Sequence, residues 1–417
     1  MAEVAGEPSV SFLGAMCLYS LHQTYAETKK CAMTSEERRE ARYQRRVAKR
    51  RAKKATQLIH ADNYDDVFSY RNLYNAYRKC RRGVAWKASV QKYITQAPLN
   101  VYKTFKELEA GKFKTPGFYE FDIFERGKAR HIRSTGIQER VVQRCLCDNA
   151  LVPALQRTFV YDNGASMKNK GYTFAVRRIT EHLRRHYRKY GNEGYILVFD
   201  FSRFFDNVSH AIVKEMIRTE LSDERIIALT YYLIDAFGTQ GLGLGSQISQ
   251  VLSLASANKL DHLCKEILKI KGYARYMDDG YLLHHDKAAL KECLEAMKRV
   301  CEQLHITLSE KKTQIVKLSH GFTWLQIRFY LTKTGKIVRK IYKNSVTRQR
   351  RKLKKFRKRL DEGKMTFDEI IQSVASWFAY AKNFNSYYTR KNMRNLFTNL
   401  FDKEIRIHGY NIFKIAA

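Results

Sequence analysis

The stretch Gly272–Asp286, GYARYMDDGYLLHHD, places two adjacent carboxylates, Asp278 and Asp279, between two aromatic-apolar runs, Tyr273 to Met277 and Tyr281 to Leu283. An apolar run broken at an acidic crease has the form of a β-hairpin, and Asp279–Gly280 is by itself a good turn dipeptide. A second apolar run, GYILVFDFSRFF, starts at Gly194 and carries Asp200 within it. Its β-branched and aromatic content predicts a buried strand. Such carboxylates at the ends of apolar strands could be solvent-facing strand ends. Three of them converging on one sheet would instead share hard cations, which prefer oxygen ligands.

The surroundings favour the second reading. The chain has 417 residues, with 77 Lys and Arg against 41 Asp and Glu, a formal charge of +36. That excess points to a polyanionic partner, nucleic acid first. A basic protein holding a polyanion has use for clustered acids where a cation must sit. No run of about 18 apolar residues predicts a membrane-spanning helix. The eight cysteines are scattered without a CxxC spacing, which speaks against a zinc site or disulfide framework and for a reducing cytoplasm.

Further elements follow from pattern. Thr34 and Glu37 have capping-box spacing at the head of a basic helix over 34–58, a candidate nucleic-acid arm. The mildly apolar PSVSFLGAMCLYS before it lacks a signal peptide's basic flank and is expected to be a tail, with Met16 as an alternative start. Helical spacing fills 69–110. Residues 118–133 read as a hairpin turning at Arg126–Lys128. Helices are expected over RVVQRCLCDNALVPALQ, YTFAVRRITEHLRRHYRKY, 209–236, 248–268, 287–304, 345–362 and 366–401, with strands at 313–318 and 322–331. The order predicts an α+β layer, a small antiparallel sheet with helices on one face. Residues 339–359 hold twelve bases and no acid. With Ser345 as N-cap, Val346, Leu353, Phe356 and Leu360 share one face. The opposite face carries Arg350, Arg351, Lys354 and Lys355, expected to contact phosphates.

These motifs together resemble reverse transcriptases. YMDD at 276–279 is similar to their catalytic box, FDFSRFFDNVSH (199–210) to their first palm motif, and GLGLGSQISQ (241–250) to their nucleotide loop. LSEKKTQI (308–315) resembles the following lysine motif and GFTWLQIRFY (321–330) the primer-grip hairpin. RVVQRCL and NGASMKNKGYTFAVRR resemble fingers segments of group II intron-like and diversity-generating enzymes. The resemblance covers roughly residues 70–400. It implies a right-hand polymerase: a basic tail and helix (1–65), fingers (66–193), palm (194–335) and helical thumb (336–417).

The resemblance also implies an activity, RNA-directed DNA synthesis with two Mg²⁺ ions, or Mn²⁺ in their place. It makes Asp200, Asp278 and Asp279 the metal ligands, joined by the Phe201 carbonyl, and Lys312 a candidate proton donor to pyrophosphate. Phe205 would exclude a 2′-hydroxyl. Gln247, Ser249 and Gln250 would line the nascent base pair, while Lys128, Arg130 and Lys170 would clamp the triphosphate. Gly321 and Trp324 would contact nucleic acid in the primer grip, where Gln326 replaces the usual glycine. Implied partners are an RNA template, a DNA or RNA primer, dNTPs, and a separately encoded accessory protein or non-coding RNA, in a bacterial or phage-encoded cytoplasmic system. The loop ending Ser-Gln is closer to diversity-generating enzymes, retron accessory signatures are absent, and no nuclease or zinc box follows the thumb. Retroelement, diversification and phage-defence roles stay open. So do protein-primed or untemplated synthesis, and a catalytically idle RNA-binding shell.

Overall fold

A computed structural model describes residues 34–125, 127–408 and 411–416. The tail and the Met16 start lie outside the described residues. The chain divides into two compact units at Ile59–His60. In the first, α1 (Ser35–Leu58) begins at the expected capping box. The Thr34 hydroxyl accepts from the Glu37 amide at 3.2 Å, and Glu37 accepts from the Thr34 amide at 2.7 Å.

The unit from His60 onward opens with α2 (Tyr70–Cys80), α3 (Ala88–Thr95) and α4 (Ala97–Glu109). The hairpin β1 (Phe118–Glu125) and β2 (Lys128–Thr135) follows, then α5 (Ile137–Leu146) and α6 (Tyr172–Tyr190). Next come β3 (Tyr195–Asp200), α7 (His210–Glu220), α8 (Glu224–Asp235), α9 (Gln247–Ser256) and α10 (Asn258–His262). The hairpin β4 (Gly272–Tyr276) and β5 (Asp279–His284) leads to α11 (Lys287–Gln303) and β6 (Gln314–Lys317). A second sheet, β7 (Phe322–Trp324), β8 (Ile327–Leu331) and β9 (Ile337–Ile341), precedes α12 (Lys343–Asp361), α13 (Phe367–Lys382) and α14 (Tyr387–Phe401). A last pair, Glu404–His408 and Asn411–Ala416, closes the described chain.

The central sheet runs β4-β5-β3-β6, antiparallel throughout. The expectation of helices on one face is corrected here, because both faces are covered. Along β3, Ile196 and Val198 join a core with Ile179 and Leu183 of α6, Phe329 of β8, and Leu353 and Phe356 of α12. Leu197 and Phe199 point the other way, into a core with Leu260 of α10 and Leu290 and Met297 of α11. Burial on both sides is why β3 reads as an unbroken apolar run rather than an alternating one.

Other boundaries also move. The basic helix starts at Lys343, with Tyr342 as N-cap, so Ser345 lies inside its first turn. The stretch 366–401 is two helices. Between them the Ser386 hydroxyl turns back to the Ala381 carbonyl at 2.5 Å, while Asn385 exchanges two hydrogen bonds with the Arg339 backbone of β9. Residues 209–236 likewise split into α7 and α8.

Candidate active site

The turn of the β4–β5 hairpin is Met277–Asp278, closed by the Tyr276↔Asp279 pair, and Met277 takes a left-handed φ of 60°. Asp279–Gly280 is therefore not the turn but the start of β5. Gly280 answers a different demand, since a Cβ there would stand 2.2 Å from the Phe199 ring. One residue further on, Asp200 and Asp279 are direct cross-strand partners. The Phe201 amide donates to the Asp278 carbonyl at 3.1 Å. The chain's hydrogen bonding thus brings Asp200, Asp278, Asp279 and the Phe201 backbone to one end of the sheet.

Lys312 arrives by a separate route. The Ser309 amide donates to the Asp200 carbonyl at 2.8 Å, and the tight turn that follows brings the Lys312 ammonium to 2.6 Å from the Asp200 carboxylate. Burial raises the Asp278 carboxyl above its ordinary range, and the Asp200 charge adds to it. Asp279 is pushed up further, to about 7, by burial and then by Asp278 and Asp200. Burial opposes the charge on Lys312, but the hydrogen bond to Asp200 and the nearby acids outweigh it and hold the ammonium above its usual value.

Crowded like charges of this kind make ionisation costly unless a cation joins them. Among the described residues no three His, Cys, Asp or Glu side chains already stand in an ion-holding arrangement. Lys312 takes up one Asp200 oxygen instead. The donor set nevertheless fits a hard cation: carboxylate oxygens from Asp200, Asp278 and Asp279, plus the Phe201 carbonyl, with no nitrogen or sulfur ligand among them.

A cleft of about 670 Å³ leads away from Asp279. Its walls include the Leu325–Gln326 turn, Arg348 and Lys352 of α12, and Trp377 of α13. Leu325 and Gln326 both have positive φ, 47° and 61°. The left-handed turn is therefore kept although neither residue is glycine, a conformation that costs a side-chain-bearing residue roughly 1–2 kcal/mol. Trp324 itself is buried, edge-on to Tyr281 at 4.8 Å, so its ring is not on a nucleic-acid surface. Gly321 is buried too. A Cβ there would lie 2.6 Å from the Phe329 carbonyl, so it serves the close approach of β8.

The remaining sequence candidates separate into engaged and open groups. Phe205 is half-buried, and its carbonyl accepts from the Leu242 amide at 2.7 Å, tying the first motif to the glycine-rich loop. Gly241 makes that approach feasible, since a Cβ would meet the Asp206 carbonyl at 2.5 Å. The β1–β2 hairpin joins the same loop through the Arg133 amide and the Leu244 carbonyl, 3.0 Å apart. Gln247 is held by Asp148 at 3.1 Å. Ser249 is fully buried, its hydroxyl 2.7 Å from that of the N-cap Ser246, so it faces inward. Gln250 is exposed.

Arg130 is exposed, 3.3 Å from Glu125, and close enough for its charge to lower the Asp278 carboxyl. Lys170 is spent on the Tyr161 and Asn163 carbonyls at 2.7 and 3.0 Å, between the Tyr161 and Phe174 rings. The Lys128 side chain lies outside the described residues. Arg350, Arg351, Lys354 and Lys355 are all exposed, while Leu353 and Phe356 of the same helix are buried.

Sequence reasoning missed Arg275, which is wholly buried within the supposedly apolar run. It pairs with Asp261 through Nε at 2.7 Å and Nη2 at 2.6 Å, and donates to the carbonyls of Met277 (2.8 Å) and Leu254 (2.9 Å). It therefore bolts the carboxylate turn to α9 and α10. The signal was present as a lone base between Tyr273 and Met277.

Residues 125–329 match the family described as reverse transcriptase (RNA-dependent DNA polymerase), so a reverse transcriptase domain is present. The antiparallel sheets with their helices make the described residues an α+β fold. Protein YkfC of Escherichia coli (strain K12) is 24% identical over 241 residues, which cover 48% of this chain and 62% of YkfC. Two solved structures are similar at low level. One is apo telomerase from Candida tropicalis, with a TM-score of 0.43 and 12% identity, covering 54% of this chain and 49% of that one. The other is telomerase from Candida albicans with a fragment of telomeric RNA, at 0.43 and 13%, covering 72% and 58%.

Proposed function

We propose that the chain is an RNA-directed DNA polymerase that extends a primer 3′-hydroxyl with dNTPs along an RNA template. The observation that carries this reading is the crowding of Asp200, Asp278 and Asp279 at one sheet end in a protein of charge +36. Asp200, Asp278, Asp279 and the Phe201 carbonyl would hold two Mg²⁺ ions, or Mn²⁺, which when bound activate the attacking hydroxyl and stabilise charge on the leaving oxygen.

The protein's own groups do the rest. Lys312, held protonated beside Asp200, is a proton donor for departing pyrophosphate. Phe205, fixed to the glycine-rich loop, bars a 2′-hydroxyl. Arg130 on the fingers hairpin meets the triphosphate, and Gln247, oriented by Asp148, sits beside the incoming base. The Leu325–Gln326 turn supports the primer end, and Arg350, Arg351, Lys354 and Lys355 follow the duplex backbone. In this reading residues 66–193, 194–335 and 336–417 are fingers, palm and thumb, and 1–65 is a basic arm. A bacterial or phage retroelement, diversification or defence system is the setting.

Primer extension on an RNA template tests the reading. Asp278→Asn should cut dNTP incorporation by at least about 10²–10³-fold while template affinity stays near wild type, because transition-state charge stabilisation is lost and the basic grip is not. Synthesis at the wild-type rate by this variant would sink the assignment, and an inactive wild type that binds RNA would leave a binding shell. In the same assay Phe205→Ala should incorporate ribonucleotides, and unchanged sugar discrimination would return Phe205 to a packing role.

A further inference from the structure

At the end of the β4–β5 hairpin remote from the carboxylates lies a second concavity, about 760 Å³, between α6, the 265–272 segment and His284–His285. Five residue steps of β5 separate Asp279 from His284, roughly 17 Å at strand rise. Among its lining side chains six are Lys or Arg, four are His, and one, Asp162, is acidic. That one acid is already taken up by Arg178 and Lys265, each at 2.5 Å. Among the described residues no carboxylate pairs with Arg185, Lys189, Lys269 or Lys271, all exposed. Lys269 moreover holds a left-handed φ of 53°, a conformation that side-chain-bearing residues keep at some cost. The cations are not a mixed, self-neutralising surface of the usual kind.

Two features say what kind of anion would fit. Arg185 and Lys189 stand one turn apart on the exposed face of α6, about 6 Å at helical rise. Lys269 and Lys271 line the same concavity from the 265–272 segment, whereas Arg178 and His182 are buried and already bonded to Asp162 and Tyr281. Four exposed cations spread over two segments suit a chain of phosphates, whereas a single phosphate needs only a convergent cluster. At the rim, Tyr190 stacks on His285 with centroids 4.4 Å apart and planes 11° from parallel, and His284 lies 4.4 Å from His285. Aromatic faces beside exposed cations are the combination that binds single strands, stacking the bases and neutralising the backbone.

We infer that this pocket is a second nucleic-acid site, taking a single-stranded RNA segment outside the copied duplex. The choice of RNA rests on the proposed polymerase reading, but binding here is measured without synthesis, so the two can fail separately. Full-length protein carrying R185Q, K189Q, K269Q and K271Q is compared with wild type for affinity to a short single-stranded RNA across a salt series, with circular dichroism as folding control. The log–log salt slope should flatten by about 0.7 for each phosphate that is no longer neutralised. Extension of a preformed primer–template should be unchanged.

H285A, which leaves those four charges alone, should weaken RNA binding severalfold with the slope intact, because it removes stacking alone. An unchanged slope and affinity in the quadruple variant would overturn the site. Displacement of RNA by ATP or inorganic triphosphate at equimolar concentration, itself lost in the quadruple variant, would overturn the strand reading in favour of a free-nucleotide site.

Discussion

Arg275–Asp261 and Lys312–Asp200 are both Asp-to-base pairs in the central sheet and its neighbours, and they differ in almost everything else. The first has both side chains at 0% exposure; in the second Lys312 is 52% exposed. Asp261 accepts from Arg275 twice, from Tyr273 at 2.5 Å and from Asn163 at 3.3 Å, so both its oxygens are satisfied. Asp200 receives one lysine and faces two further acids across the strand. A structural carboxylate is recognised by its complete set of donors. A carboxylate short of donors is, in the function proposed above, one kept for chemistry, at a cost that the rest of the fold carries.

Breaking the closed pair should have the largest effect on folding. Asp261→Asn leaves the Arg275 charge buried without its counter-charge, a change worth about 3–5 kcal/mol. Urea unfolding measures it, and a loss below about 1 kcal/mol would show that water reaches Arg275 and that the two pairs are alike.

The open cluster should respond with the opposite sign. Asp279→Asn should stabilise the metal-free protein near pH 8 by on the order of 1 kcal/mol, since it removes a charge that burial and two neighbours disfavour. The folded Asp279 titrates above its unfolded counterpart. The folded state therefore holds the extra proton between the ordinary carboxylate range and about 7. Wild-type stability falls as pH rises through that window and levels off above it, and Asp279→Asn should make the slope shallower, leaving the share of Asp278. Thermal melts across pH read both outcomes, and a destabilised variant would mean that the carboxylates are better satisfied than their geometry implies.

The smallest expected effect on stability is that of Lys312→Met. A half-exposed pair contributes about 0–1 kcal/mol, so the melting point should barely move while incorporation falls. A large stability loss with full activity would reverse the roles assigned to the two bases.

The contrast also explains what can be read from residues alone. β3, the carboxylate hairpin and α11 are legible because their apolar runs are long and local, and α12 because its bases leave one clean apolar face. What escapes depends on partners distant in sequence. The 383–386 break exists because Asn385 bonds to Arg339, and β9 is hidden because its basic residues read as the start of the helix that follows. Ser249 and Trp324 sit in motifs that suggest contact with substrate, yet capping and core packing turn both inward. Asp279–Gly280 looks like a turn because that is the commoner use of the dipeptide. The requirement for glycine comes instead from a ring on the neighbouring strand.

That ring has a consequence for how far the site can be altered. Phe199 immediately precedes Asp200, Gly280 immediately follows Asp279, and the two are cross-strand partners. The aromatic plate fills the space where a side chain at 280 would stand, so it acts as a spacer that sets the gauge between the two acid-bearing strands. A single methyl group added at 280 must lift one strand, tilt the plate, or both, and the carboxylates one step along would be carried with it. The tolerance of the carboxylate cluster is thus set by a residue that has no side chain, pressed against a ring buried in the core.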